Sequence, residues 1–186
     1  MKTLFLARHA PTSVKGICYG HLDVPIAIRS EDAAQRLRST LPGTTRRVRI
    51  WTSPSARCRE VATTLDQSAV VDERLREMFF GAWEGRAWDD IERETSFGVW
   101  ARDWRRARVP GGESAQDLDA RVAAWFADLD DDHAHLAVAH AGVIRSLQVQ
   151  VEGATWDEAM RVAVPHLEWL AIVPRARPEV ANAGGA

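Results

Sequence analysis

Four side chains at the ends of apolar segments could together carry out chemistry on a phosphate group. Arg8 and His9 end the first apolar run, Arg57 comes shortly after the second within TSPSARC, and His140 ends a third. The carboxyl ends of parallel strands meet at one edge of a sheet, so we expect these side chains to lie together. Guanidinium groups pair with phosphate oxygens, and a neutral imidazole nitrogen can attack phosphorus near neutral pH. The pattern predicts a phosphate site with a histidine nucleophile.

A carboxylic acid is also needed, because the alkoxide that leaves phosphorus must take up a proton. Glu77, within RLREMFFGAWEG, is the candidate, and it could first protonate the alcohol and then activate water. A purely structural salt bridge is the open alternative for this residue. Arginines and a second histidine can balance the charge of the transferring phosphoryl group, so the scheme requires no metal and no other cofactor. We therefore expect a metal-independent phosphomonoesterase that forms a phosphohistidine.

Apolar runs rich in branched residues predict the strands that position these side chains. The runs lie at residues 3–7, 48–52, 136–139 and 167–173, with a possible short strand at 69–71. Helical patterns separate most of them. This alternation indicates an α/β fold, and we predict a three-layer α/β/α sandwich with a mostly parallel central sheet.

Local signals place three helices between these strands. Ser30 is expected to cap a helix that runs to Leu41, and Ser53 to cap a helix that runs to Leu65. The longest helix is predicted from about residue 114 to 131, where one apolar stripe continues over the whole segment. These helices would cover the sheet.

The middle of the chain departs from this pattern. Residues 78–112 are rich in glycine, tryptophan and arginine, and we interpret them as a small cap inserted over the site. We expect residues 1–174 to form a single domain that includes this insertion. Residues 175–186 contain few apolar side chains and are expected to form a loose tail.

Five motifs in order, LARHAPT, SPSARC, LREMFFGAWEG, PGGES and VAHAGVIR, resemble those of the histidine phosphatase superfamily. The resemblance implies that His9 is the phosphorylated nucleophile and that Glu77 is the proton donor. It also implies a phosphate pocket that is formed by Arg8, Arg57, His140 and the backbone of Ala141.

A finer resemblance, carried by KGICYGHLDVPI and EMFFGAWEG, is to the α-ribazole phosphatases, which remove the 5′-phosphate from a nucleotide-like compound. It implies α-ribazole 5′-phosphate as the substrate. We expect substrate contacts from five residues, because indole rings stack on sugars and heterocycles, and packing in the core is the open alternative for the tryptophans among them. The five residues are Lys15, Tyr19, Trp83, Trp88 and Trp104.

Three alternatives stay open. A broad phosphatase of sugar phosphates or nucleotides would have the same catalytic residues, and so would a phosphoglycerate mutase, for which a larger insertion is expected. A non-catalytic protein that only binds phosphorylated ligands is the alternative from a different class. It would bind phosphate without turnover.

Two positions depart from the family pattern. Ala10 follows the nucleophile and Ala141 follows the second histidine, where the family usually has glycine. A methyl group is small enough for the backbone N–H to reach phosphate, but an alanine that needs a positive φ angle would be strained. The backbone geometry of both positions is therefore a specific question for the structure.

The composition excludes several classes of partner. Apolar residues are 46% and charged residues 27%, with a formal net charge of -2, which gives no reason to expect nucleic acid or a membrane. Two cysteines, Cys18 and Cys58, are too few for a disulfide framework, and no secretory leader is recognisable, so a cytoplasmic location is expected. The expected partner is a small phosphorylated molecule, and the expected state is a monomer or homodimer.

Three further histidines are candidates for a functional role. His133 and His135 could chelate a metal, but no additional ligand has suitable spacing, so we expect a solvated turn and no metal site. His166 follows a proline at the start of a predicted strand. Whether it lines the site stays open.

Overall fold

A computed structural model describes residues 2–174, and within them five strands form one sheet. The strands are β1 (Thr3–Arg8), β2 (Arg47–Thr52), β3 (Val70–Val71), β4 (His133–Ala139) and β5 (Trp169–Ile172). Their spatial order is β3-β2-β4-β1-β5. Only β5 runs antiparallel to its neighbour, so the predicted mostly parallel sheet is confirmed. Because β1 and β4 are adjacent and end at the same level, the two histidines that follow them are brought together.

Helices cover both faces of this sheet. They are α1 (Ser30–Ser39), α2 (Ala56–Leu65), α3 (Trp88–Ile91), α4 (Thr95–Arg102), α5 (Ala115–Ala127), α6 (Ala141–Gln150) and α7 (Trp156–Arg161). Leu4 and Leu6 of β1 belong to the same buried cluster as α5 and α6, whereas Ala7 belongs to a cluster with α1 and α2. Alternate side chains of a strand point to opposite faces, so this division confirms the three-layer arrangement.

Two predicted helix caps are wrong. Helix α1 begins with Ser30 itself rather than after it, and it ends at Ser39, before Leu41. Helix α2 begins at Ala56 with Ser55 as its N-cap residue, whereas the Ser53 hydroxyl accepts from the N–H of Ser55 and bonds to the ring of His140. The position of Ser53 is therefore set by the site and not by the helix.

The longest helix, α5, is capped as its sequence predicts but is shorter. Ser114 accepts from the N–H of Asp117, and the Asp117 side chain accepts from the N–H of Ser114, which completes a capping box. The helix ends at Ala127, four residues before the predicted end. Trp125 on its inner face is fully buried.

The predicted cap segment, residues 78–112, contains α3, α4 and a 3-10 turn at Gly81–Trp83. Its backbone pairs with the loop after β1, since the N–H of Cys18 donates to the carbonyl of Arg86 at 2.8 Å. Gly81 has a φ angle of 50°, and a Cβ at this position would lie 2.3 Å from the carbonyl oxygen of Pro110. This close approach closes the segment on itself.

The interpretation of His133 and His135 as part of a solvated turn is wrong, because β4 pairs with β2 from His133 onward. His133 Nδ1 lies 2.8 Å from Asp130 Oδ1, and His135 is fully buried, with Nδ1 accepting from Trp51 Nε1. Within residues 2–174 no group of three or more His, Cys, Asp or Glu side chains is arranged to hold a metal ion.

The predicted loose tail at residues 175–186 lies outside the described residues. Among residues 2–174, no helix has the length and apolar character needed to cross a bilayer.

Candidate active site

His9 stands immediately after β1 with its ring held in one tautomer. The backbone N–H of His9 donates to the carbonyl of Ala139 at 3.0 Å, and the ring Nδ1 lies 2.7 Å from the carbonyl oxygen of Ala10. A carbonyl only accepts, so Nδ1 carries the hydrogen and Nε2 keeps a free lone pair. Burial, helped by the nearby charge of Arg57, lowers the pKa of His9 to about 3. The ring is therefore neutral at neutral pH, which is the form that a nucleophile requires.

His140 follows β4, and its ring centroid lies 5.3 Å from that of His9. Arg57 Nη2 donates to His140 Nδ1 at 3.3 Å, which leaves the hydrogen on Nε2, 2.8 Å from the hydroxyl oxygen of Ser53. Burial and the charge of Arg57 hold the pKa of His140 well below its usual value. The hydrogen bond of Ser53 to His140 was not foreseen from the sequence, where Ser53 was interpreted as a helix cap.

Both predicted phosphate-binding arginines line the same cleft as the histidines. Arg57 is 1% exposed and donates to the carbonyls of Gly20 and Leu22 at 2.6 and 3.0 Å. Arg8 donates to the carbonyl of Val164 at 3.0 Å. The Nε atoms of both arginines are buried and have no hydrogen-bond partner in the described part of the chain. A buried donor without an acceptor is costly, and phosphate oxygens would supply acceptors beside both side chains.

The loop that holds Arg57 is itself fixed by Glu84. The Glu84 carboxylate accepts from the N–H groups of Gly20 and His21 at 3.2 and 2.7 Å, and also from that of Leu22. A Cβ at Gly20 would lie 1.8 Å from a backbone oxygen of the cap, so only glycine fits there. The sequence offered one signal for this contact, the carboxylate in GAWEG, but not its partners.

Glu77 lines the cleft together with both histidines. Its Oε1 accepts from the N–H of Met78 at 2.9 Å, and its Oε2 from the N–H of Gly142 at 3.1 Å. Backbone groups rather than a basic side chain thus hold the carboxylate. Since Gly142 lies in the first turn of α6, Glu77 is fixed close to His140 and is placed where a leaving oxygen could reach it.

The cleft has a volume of about 470 Å³, and three of the five predicted substrate contacts line it: Lys15, Tyr19 and Trp88. Trp83 does not, because it is fully buried and packs edge to face on Trp100 with centroids 5.5 Å apart. Trp104 does not line it either and packs on Trp156 at 5.3 Å. Composition alone did not separate the indoles that fill the interior from the one that faces the cleft.

His166, which the sequence left open, lies on the rim of the cleft. Its Nδ1–H donates to the carbonyl of His9 at 2.6 Å, and the two ring centroids are 5.2 Å apart. Burial lowers its pKa as well. Leu167, the next residue, has a φ angle of 58° and is the one non-glycine residue between 2 and 174 with a positive φ. A tight turn thus directs His166 toward His9.

The two alanines that replace family glycines do not have a positive φ angle. Ala10 is fully buried, and Ala141 is the first residue of α6. Ala141 lines a neighbouring cavity rather than the cleft itself, so its predicted phosphate contact would have to be made by its N–H. The methyl groups therefore introduce no left-handed strain at either position.

Acidification is expected to destabilise the protein, because the two pocket histidines stay neutral in the folded state. The pKa of His9 is lowered to about 3 and that of His140 lies well below 6.5, near which unfolded rings titrate. The unfolded chain binds more protons below pH 6.5, so the free energy of unfolding falls as the pH drops from 6.5 toward 3. Between pH 7 and pH 5 the His9 ring should contribute a loss of the order of 2 kcal/mol, and the His140 ring should add a loss in the same direction. Denaturant unfolding of the wild type and His9→Asn measures this, and an identical pH dependence would contradict it.

Known proteins resemble the chain over nearly its whole length. The model of the histidine phosphatase superfamily (branch 1) matches residues 4–180. The adenosylcobalamin/alpha-ribazole phosphatase of Escherichia coli (strain K12) is 29% identical over 180 residues, which cover 91% of this chain and 88% of that protein. The protein of the same name from Salmonella typhimurium is 31% identical over 155 residues, which cover 77% of this chain and 76% of that protein.

The fold agrees with these matches. The crystal structure of the alpha-ribazole phosphatase from Shigella flexneri has a TM-score of 0.78 with this chain at 29% identity, and the match covers 91% of this chain and 89% of that one. The family model extends through the ends of β1 and β4, which carry the two facing histidines. The chain therefore belongs to the histidine phosphatase superfamily.

Proposed function

We propose that this protein hydrolyses α-ribazole 5′-phosphate through a phosphohistidine formed on His9. The observation that carries the catalytic part is the placement of a neutral, buried His9 in one cleft with Arg8, Arg57, Glu77 and His140. The substrate rests on similarity to proteins named alpha-ribazole phosphatases, which cover most of the chain. The cleft adds one cationic side chain, Lys15, and three aromatic ones, Tyr19, Phe80 and Trp88, outside the phosphate pocket.

In the first half-reaction, His9 Nε2 attacks phosphorus while the bond between phosphorus and the ester oxygen breaks. Arg8 and Arg57 pair with the non-bridging oxygens and balance their charge. The leaving oxygen takes a proton from Glu77, which can receive it from the phosphomonoester, whose second pKa is about 6. The Ala10 carbonyl accepts from Nδ1 and stabilises the positive charge on the phosphorylated ring.

In the second half-reaction, a water molecule attacks phosphorus and gives one proton to the Glu77 carboxylate. The bond between phosphorus and Nε2 breaks, its electron pair returns to the ring, and inorganic phosphate leaves. Glu77 is then protonated again for the next ester. One carboxyl group thus serves as acid and base in turn.

A panel of phosphomonoesters tests the proposed substrate. Values of kcat/KM are compared for α-ribazole 5′-phosphate, ribose 5-phosphate, 3-phosphoglycerate and 5′-nucleotides, with a chelator present. We expect α-ribazole 5′-phosphate to exceed the others by at least about tenfold. Similar values throughout would instead support the broad-specificity phosphatase, and phosphate binding without hydrolysis of any ester would support the non-catalytic alternative.

Replacing Glu77 with glutamine tests the proton donor. We expect kcat for ribose 5-phosphate to fall about 10²-fold, because its alkoxide leaves poorly without a proton. Dephosphorylation of the enzyme also needs a base, so turnover of p-nitrophenyl phosphate should slow as well. In the phosphorylation step, however, the rate with p-nitrophenyl phosphate should fall less than the rate with ribose 5-phosphate. Single-turnover kinetics with both esters measures the difference. Equal losses in that step, or a matching loss of phosphate affinity, would contradict a proton-transfer role.

A further inference from the structure

A second cavity, which we call the indole cavity, lies beside the catalytic cleft and is about 160 Å³ in volume. Trp100, Trp104 and Trp156 are among its walls, and Glu77 and Phe80 line both this cavity and the cleft. The catalytic steps described above use none of the three indoles. Their arrangement next to Glu77 therefore needs another explanation.

The walls of the indole cavity are preformed. Trp104 and Trp156 pack edge to face at 85°, and Trp156 Nε1 donates to Asp119 at 3.1 Å. Apart from Glu77, Arg145 is the charged residue at this cavity, and its guanidinium donates to the carbonyls of Ala159 and Val162. A ligand here would meet fixed aromatic surface rather than free charge.

Size and polarity restrict what such a cavity can hold. An apolar cavity of about 150 Å³ is sufficient to bind benzene, so a cavity of similar size accepts one planar ring or a small fused pair. An anionic group would lose its hydration there without gaining enough hydrogen bonds. The phosphate therefore belongs with the arginines, and an uncharged planar group suits the indoles.

We propose that the indole cavity binds the uncharged planar ring system of the alcohol whose phosphate is held at His9. This inference rests on the proposed function and specifies how its leaving group is recognised. Glu77 must face the leaving oxygen to protonate it. The rest of the alcohol is attached to that oxygen, so it must lie close to Glu77. The cavity that shares Glu77 with the cleft is thus within reach of a nucleotide-like alcohol, whose sugar would pass Phe80.

A cavity-filling variant tests this assignment. Ala115 lines the cavity and is 1% exposed at the start of α5, so Ala115→Leu places new methyl groups inside it. The ratio of kcat/KM for α-ribazole 5′-phosphate to that for ribose 5-phosphate, which lacks the ring system, should fall at least about tenfold. Ala120→Leu is the matched control, because Ala120 is exposed on the same helix. An unchanged ratio in folded Ala115→Leu would overturn the proposal.

A second variant and a binding measurement separate this proposal from the catalytic one. Met160 lines the cavity and is 52% exposed, so Met160→Trp carries little folding risk and adds an indole that can occupy the cavity. Calorimetry with benzimidazole should show binding to wild type and Ala120→Leu, and at least about tenfold weaker binding to Ala115→Leu and Met160→Trp. If no ester is hydrolysed, the proposed function is wrong, but the titration still shows whether the indole cavity binds an uncharged planar ring. Absent or unaltered benzimidazole binding would overturn the cavity assignment alone.

Discussion

Replacing His9 with asparagine is expected to lower kcat for every phosphomonoester by at least about 10⁴-fold. Nε2 of His9 carries a free lone pair because Nδ1 is committed to the Ala10 carbonyl. Asparagine is close in size but has no nucleophilic nitrogen, since its amide lone pair is delocalised. His166 also donates its Nδ1–H to a carbonyl, that of His9, and so keeps a free lone pair on Nε2, which makes it the other histidine that has to be tested as a nucleophile.

The measurement should follow the intermediate as well as the rate. Rapid quenching of wild type with labelled ester should yield an acid-labile phosphoprotein, and the His9→Asn variant should yield none while still binding inorganic phosphate. His166→Asn is an informative comparison, because His166 also lies on the rim and contacts the His9 carbonyl. Turnover by His9→Asn within tenfold of wild type would show that another group is the nucleophile.

Replacing Arg57 with alanine is expected to lower kcat/KM about 10³-fold. Arg57 is proposed to pair with phosphate, and it also donates to His140 and to the carbonyls of Gly20 and Leu22. Its removal leaves those buried acceptors without a donor, so the free energy of unfolding should also fall by about 1–3 kcal/mol. Arg57→Lys keeps the charge but not the paired donors, and we expect it to recover only part of the activity.

Steady-state kinetics, inhibition by inorganic phosphate and denaturant unfolding together measure these effects. Arg59→Ala is the matched control, since Arg59 is exposed on the same helix and should change neither activity nor phosphate affinity. A loss of stability in Arg57→Ala with unaltered phosphate inhibition would mean that Arg57 only supports the loop. Full activity of Arg57→Lys would show that charge alone is sufficient.

Several features of the fold were predictable because they depend on short-range patterns. The apolar runs around Leu6, Ile50 and Val138 gave the strands, and residues at the ends of adjacent parallel strands necessarily meet at one edge. Arg8, His9, Arg57 and His140 were located in this way, and the cleft contains all four. Glu77 was predicted from the need for a proton donor, and the motifs of the family imply the same residue.

Other features depend on contacts between distant residues, which no local pattern records. Ser53 bonds to a histidine 87 positions away, and Glu84 accepts from residues more than 60 positions before it. His166 reaches the carbonyl of His9 across 157 positions. Trp83 illustrates a different limit, because an indole in a polar, glycine-rich segment can fill the interior as readily as it can face a ligand.

The carboxylate of Glu84 has a consequence for how this protein opens. It accepts from the N–H of Phe80 in the cap as well as from the N–H groups of residues 20–22, whose carbonyls hold Arg57. An excursion that releases the cap would therefore remove the hydrogen bonds that hold residues 20–22, and with them the support of the loop whose carbonyls position the guanidinium. We therefore expect the cap and Arg57 to open together, so that partial unfolding at the cap would also disturb the pocket around the two histidines.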